Sequence, residues 1–389
     1  MQRERNHIDL ITLICVLTLM VLSLGVVYSG GATWWESKPG GSDKLILLHA
    51  IKVLLGIVAL FVIMRIDYHL YRKISKPALL GAVLLLAVTL VLGGEKKGAT
   101  RWLEIGGLVF QPSEFAKFAL LFHLSALMAL KREQIQNFKN GFLPMIVWIG
   151  AVTGLVLLQP NFSTGAMIFC ISLVMLFVGH ARLMHIGLTV GALIPMLLAF
   201  LLTAEYRVRR ITAFLGGVQG TEHNSGQLQQ GIIGFGSGGL FGLGPGMSRQ
   251  RDRFLPASYG DFVFPIVGEE YGLIGTMFVM TLFVLILLRG LKIAKRAPDD
   301  FGRLLAFGIT TTITLYALIN AGVTLGIFPT TGLPMPFVSY GGSSMFFSAI
   351  AVGVLLNISS QTDLHPRLVR ASEGVRPIEP IQLPAQGQL

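Results

Sequence analysis

Residues 256–288, PASYGDFVFPIVGEEYGLIGTMFVMTLFVLILL, decide how this chain is read. The stretch opens polar, sets an acid, Asp261, directly before an apolar run, and stays apolar to residue 288 apart from Glu269 and Glu270. A helix needs about 20 apolar residues to cross a bilayer, and the run 262–288 is longer than that. The fold is therefore read as membrane helix, with chemistry expected where the acid meets it. Upstream, residues 203–262 form a polar, glycine-rich interval dense in arginine.

Composition extends this reading to the whole chain. Of 389 residues, 53% are hydrophobic and 13% charged, against about 25% charged in soluble domains, and the mean hydropathy is +0.68. The class expected is an all-α integral membrane protein of ten spans, roughly 9–29, 44–65, 77–93, 113–130, 142–158, 163–180, 184–203, 263–288, 303–326 and 338–358. The first run is too long for a signal-peptide core and has no clear small-residue cleavage site, so it is read as retained. Cys15 and Cys170 fall inside spans and read as small hydrophobes, not as a disulfide or metal pair.

Ten spans place both termini on one side, and the basic residues choose which. With the N-terminus cytoplasmic, 18 basic residues lie on inner segments and 5 on the short outer ones. Long loops count little in this rule, so N-in, C-in is expected, with loop 203–262 facing outward between spans 7 and 8. Residues 1–361 are then one membrane domain and 362–389 a disordered cytoplasmic tail rich in proline, glutamine and charge. The net charge of +11 suits cytoplasmic loops facing anionic lipid better than nucleic acid.

Several constellations can carry chemistry. Asp261 suits an N-cap for the helix that follows and is placed to pair with Arg253; neither role excludes accepting a proton from a lipid-linked hydroxyl. Glu269 and Glu270 lie in apolar sequence, where ionisable groups face a cavity or a partner. Glu114 and Lys117, spaced i, i+3, share a helix face and can neutralise each other. Lys52 is deep enough in its span to snorkel or pair. The arginines cluster at 207, 209, 210 and at 249, 251, 253; the guanidinium geometry suits diphosphate, although a solvated loop face also accounts for them. GFGSGG at 234–239 lacks the preceding strand of a dinucleotide fingerprint and reads as a flexible or closely packed turn region. PTTGLPMPFVSYGGSS at 329–344 reads as a rigid re-entrant turn, which at membrane depth lines a cavity or is buried.

These residues carry a resemblance. GATRWLEIGGLVFQPSEFAKF (98–118), QPNFSTG (159–165), SGQLQQGIIGFGSGGLFGLG (225–244), YGDFVFPIVGEEYGLIG (259–275) and FPTTGLPMPFVSYGGSS (328–344) together resemble the SEDS proteins, ten-span peptidoglycan glycosyltransferases, across most of residues 9–360. GEEYGLIG, the PTTGL turn and RGLKIAKRAPDDFGRLLAFGI look more like the division branch than the elongation branch. The resemblance implies polymerisation of lipid II at the outer face of the cytoplasmic (inner) membrane, with Asp261 as the catalytic acid of DFxFxxxGEE. It carries the family's Glu and Lys onto Glu114 and Lys117 and its loop arginine onto Arg210. Arg101, Gln227, Glu269, Glu270, Ser339 and Gly341, on the same motifs, complete the expected substrate-binding set. One position departs: Asn161 stands where members commonly have an acid, and it carries no charge.

The expected reaction is an inverting transfer in which Asp261 acts as base on an acceptor hydroxyl and Arg210 and Lys117 stabilise the leaving diphosphate. No organic cofactor is implied; a divalent cation, magnesium or manganese, fits, although the sequence shows no closed ligand set. The implied partners are a class B penicillin-binding protein and other membrane proteins of the divisome. A lipid II flippase using Lys52, Glu114 and Lys117, and a non-catalytic division scaffold, are the alternatives.

Overall fold

The computed structural model describes residues 8–36, 38–96, 99–105, 108–202, 208, 223–250, 255 and 258–362. Arg207, Arg209, Arg210, Arg251 and Arg253, and the expected tail beyond Thr362, lie outside them.

Among the described residues, eight helices are long and apolar enough to cross a membrane: α1 (Leu10–Glu36), α2 (Gly41–Met64), α3 (His69–Leu92), α4 (Pro112–Leu130), a π-turn continuing into α5 (Phe138–Leu158), α9 (Val263–Arg296), α10 (Asp300–Thr324) and α11 (Gly342–Ser359). Two shorter apolar helices, α6 (Phe162–Val178) and α7 (from Leu183), lie between α5 and the outer loop. In chain order these elements fall on the ten expected intervals.

Hydropathy sorts them into centre and periphery. Windows of α4, α10 and α11 have hydropathies of only 1.3 to 1.6 and are 72–78% buried, whereas α2 and α3, at 2.7 and 2.1, are 22% and 28% buried. A helix facing lipid must be apolar all round, whereas one inside the bundle can carry polar groups that neighbours satisfy. The less apolar helices are accordingly central, and they carry the candidate site. Close approach is set by small residues: a Cβ at Gly290 of α9 would fall 2.1 Å from Thr310 Oγ1 of α10, and one at Gly353 of α11 would fall 2.8 Å from the Leu60 carbonyl of α2. Both cysteines are free.

Two regions depart from the sequence expectation. Between α3 and α4 the chain forms an antiparallel sheet in the order β1 (Gly94–Lys96), β2 (Ala99–Ile105), β3 (Leu108–Phe110). Its second hairpin pairs Leu103 with Phe110 and Ile105 with Leu108.

The second departure corrects the turn reading of GFGSGG. Helix α8 (His223–Gly238) runs through most of it, because its glycines are needed for contact. Gly231, Gly234 and Gly238 share one helical face, and a Cβ on Gly238 would fall 2.0 Å from the Gly268 carbonyl of α9.

Candidate functional site

Asp261 closes a turn, residues 258–262, held from three sides. The Ser258 hydroxyl donates to the Gly30 carbonyl of α1 at 2.6 Å, and the Tyr340 amide donates to the Tyr259 carbonyl at 2.9 Å. Asn320 of α10 uses both hydrogens of its amide nitrogen, donating to the Asp261 carbonyl at 2.8 Å and the Leu333 carbonyl at 2.7 Å. Were Asp261 the N-cap, its carbonyl would await the amide of residue 265, but Pro265 has none; the carbonyl accepts from Asn320 instead, and α9 starts at Val263 with Phe262 as its N-cap and no side-chain cap bond. The N-cap role expected for Asp261 is therefore corrected.

The re-entrant reading of 329–344 fits the structure. The non-helical chain before α11 buries Leu333, Met335, Phe337, Val338 and Ser339 and lies against Asp261: a Cβ at Gly332 would stand 3.5 Å from Asp261 Oδ2. Ser339, expected to bind substrate, accepts from the Met335 amide at 2.8 Å. Gly341 is the N-cap residue of α11. Tyr340 stacks edge-on with Tyr259 at 5.5 Å, and Lys52 Nζ lies 3.7 Å from the centre of its ring. A cation over an aromatic face is favourable when desolvated, so Lys52 is held inside the bundle.

The Glu114–Lys117 pair is formed. Lys117 Nζ donates to Glu114 Oε2 at 2.8 Å, both side chains are buried, and Nζ also lies 4.1 Å from the centre of the Tyr316 ring. Tyr316 precedes Asn320 by four residues on α10, so the pair sits about 6 Å deeper along that helix than the anchor of Asp261. Buried polar atoms normally have partners, yet the Tyr316 hydroxyl, Asn320 Oδ1 and Thr331 Oγ1 have none among the described residues. Tyr316 touches the ion pair through its ring and Asn320 touches Asp261 through its amide nitrogen, so one face of α10 contacts both.

Other expected site residues have different positions. Arg101 on β2 donates to the carbonyls of Gln159, at 3.3 Å, and Pro160, bracing the sheet against the α5–α6 corner that contains Asn161. Gln227 is half-buried on α8. Glu269 and Glu270 are buried and accept from the chain around Ser248. Arg210 lies outside the described residues. Asn320, Tyr316, Gly332 and Ser248 were missed by sequence reasoning; the one available signal was polar Asn320 within the apolar run of α10.

The chain as a whole has counterparts among known proteins. Residues 9–364 match the model of the FtsW/RodA/SpoVE family, described as cell cycle proteins. A probable peptidoglycan glycosyltransferase FtsW of Geobacter metallireducens is 36% identical, covering 92% of this chain and 96% of the relative. Stage V sporulation protein E of Bacillus subtilis is 35% identical, covering 92% and 99%. Among solved structures, a chain from work on the structural coordination of polymerization and crosslinking by a peptidoglycan synthase complex superposes with a TM-score of 0.73 at 27% identity, over 90% of this chain and 97% of that one. The crystal structure of the Thermus thermophilus rod shape determining protein RodA gives a TM-score of 0.68 at 25% identity, over 91% and 97%.

Proposed function

This chain belongs to the FtsW/RodA/SpoVE family of cell cycle proteins, and from that premise we propose that its glycosyl transfer is carried by Asp261. The protein is a multi-pass membrane peptidoglycan glycosyltransferase of cell division. Its substrate is lipid II, polymerised at the outer face of the inner membrane, with both termini cytoplasmic.

The observation that carries the reading is the placement of Asp261: main-chain carbonyl pinned by Asn320 and carboxylate against the bare backbone of Gly332. A carboxylate held this way is pre-positioned to take the proton of an acceptor sugar hydroxyl. The hydroxyl oxygen bonds to the anomeric carbon as the bond from that carbon to the lipid diphosphate breaks. The anomeric configuration inverts and the diphosphate leaves with the bonding electrons. Arginines of the outer loop, Arg210 among them, stabilise that charge, with Lys117 contributing from below.

Among the described residues no three His, Cys, Asp or Glu side chains gather as a closed metal site. Asp261 alone does fit the way magnesium is commonly held, by one or two carboxylates with phosphate oxygens and water completing the shell. Bound there, magnesium or manganese would neutralise diphosphate charge. The partner is a class B penicillin-binding protein, supported by the similarity to a chain of a peptidoglycan synthase complex, together with other divisome membrane proteins.

The test is glycan-strand formation from purified lipid II, with partner, by the parent chain and by Asp261→Asn at matched thermal stability. Loss of polymer with the fold intact is expected. Normal polymerisation by the variant would remove Asp261 from the chemistry. Dependence on Lys52, Glu114 and Lys117 with tolerance of Asp261→Asn would instead indicate a flippase, and tolerance of both sets a scaffold.

A further inference from the structure

Helix α9 is broken at Gly272 (φ 65°, ψ −162°). In an unbroken helix the Leu273 and Ile274 amides would donate to the Glu269 and Glu270 carbonyls. They donate instead to the Gly239 and Leu240 carbonyls, at 2.9 and 3.2 Å, while the freed carbonyls of Glu269 and Glu270 accept from the Leu243 and Gly244 amides, at 2.9 and 3.0 Å. The outer strap 239–244 is thus spliced into the helix, replacing two of its rungs with four hydrogen bonds. The splice needs glycine on both sides: a Cβ at Gly272 would fall 2.4 Å from the Gly242 amide nitrogen, and one at Gly242 would fall 2.1 Å from the Glu270 carbonyl.

The two carboxylates just before the break hold the next part of the strap. Glu269 accepts from the Ser248 hydroxyl, the Arg249 amide at 3.1 Å, the Gln250 amide at 3.2 Å and the Ser237 hydroxyl at 3.3 Å. Glu270 accepts from the Ser29 hydroxyl of α1 and the Ser248 amide at 3.4 Å. Beyond the strap, the Leu255 amide donates to the Gln250 carbonyl at 3.1 Å.

We propose that Glu269 and Glu270 are positioning residues: they do not touch substrate but clamp strap 239–250 into the break of α9, setting where Arg249 and Gln250, and through Gln250 the Leu255 amide six residues before Asp261, are held. Both acids are about 1% exposed, and the groups aimed at the Glu269 carboxylate are N–H and O–H donors of the strap and of α8. This is the surrounding expected of an ionised anchor. The inference rests on Asp261 carrying the transfer.

The test combines hydrogen exchange with turnover on the full chain in nanodiscs with its partner. Glu269→Gln keeps the size and removes the charge that four donors share. Exchange over residues 243–255 should speed up while that of α10 and α11 is unchanged. The kcat for lipid II polymerisation should fall by about 10²-fold, the usual scale for an ångström of misplacement, with KM little altered. Ser248→Ala removes one donor and leaves both amides, so it should show the same pattern more weakly and keeps the test readable if Glu269→Gln fails to fold. Lost activity with unchanged strap exchange would overturn the proposal, assigning Glu269 a direct role, and so would faster exchange with normal kcat. If Asp261→Asn polymerises normally the catalytic premise fails, while the strap exchange still reports whether Glu269 anchors it.

Discussion

Gly332 stands against Asp261 so closely that a Cβ on it would lie 3.5 Å from Oδ2, and its φ of 71° is one that side chains rarely adopt. The PTTGL turn therefore forms a wall beside the Asp261 carboxylate with backbone at Gly332. Gly332→Ala is expected to cost about 1–2 kcal/mol in backbone strain and to crowd the carboxylate. The expected outcome is a small fall in melting temperature with a much larger fall in kcat. Unchanged turnover would show that the wall is not needed for chemistry.

Asn320 spends one amide group on two carbonyls, those of Asp261 and Leu333. Asn320→Leu preserves approximate size and deletes both bonds, leaving two acceptors short of a partner. At about 1 kcal/mol for each bond the loss is about 2 kcal/mol, with turnover falling as Asp261 loosens. Thermal unfolding and polymer yield measured together check this; normal values for both would exclude Asn320 as the anchor.

Lys117 and Glu114 are a buried pair at 2.8 Å. Removing one member strands a charge, which costs about 3–5 kcal/mol, whereas replacing both by apolar groups is commonly close to neutral. Lys117→Met should therefore be much less stable than the Glu114→Leu, Lys117→Met double variant. Unfolding midpoints of the four proteins in the cycle decide it. If the double variant is stable yet inactive, the pair serves chemistry as well as packing.

At the other end of the bundle, Asp9 precedes α1 and accepts from Arg289 and from the Thr12 amide and hydroxyl. Burial pushes its carboxyl upward, but these hydrogen bonds outweigh it, so the group lies below its ordinary value of 3.8. A carboxyl depressed by folding stabilises fully above that ordinary value, and the contribution disappears as pH falls through the folded one. The gap in melting temperature between the parent and Asp9→Asn should hold from neutral pH down to about pH 5 and close below it. A gap that widens on acidification would contradict the depressed carboxyl.

The membrane class and the order of the spans were legible in the chain, because a helix crossing lipid must be apolar for about 20 residues whatever surrounds it. The Glu114–Lys117 pair was legible too, since a spacing of three residues places both on one helical face. The Asp261 turn and 329–344 were legible as separate suspicious stretches. Their contact was not, because Asn320, which joins them, is one of several polar residues in the α10 run, which also holds Thr310, Thr312, Thr314 and Tyr316. Sequence by itself thus determined which segments are apolar helix, through local periodicity and solvent matching. Only the tertiary structure decided that α8 is helix, that a strap completes the broken α9, and that Glu269 and Glu270 hold that strap. The first depends on glycine contacts with α9 and the other two on hydrogen bonds between separate segments, and local pattern carries no information about such partners.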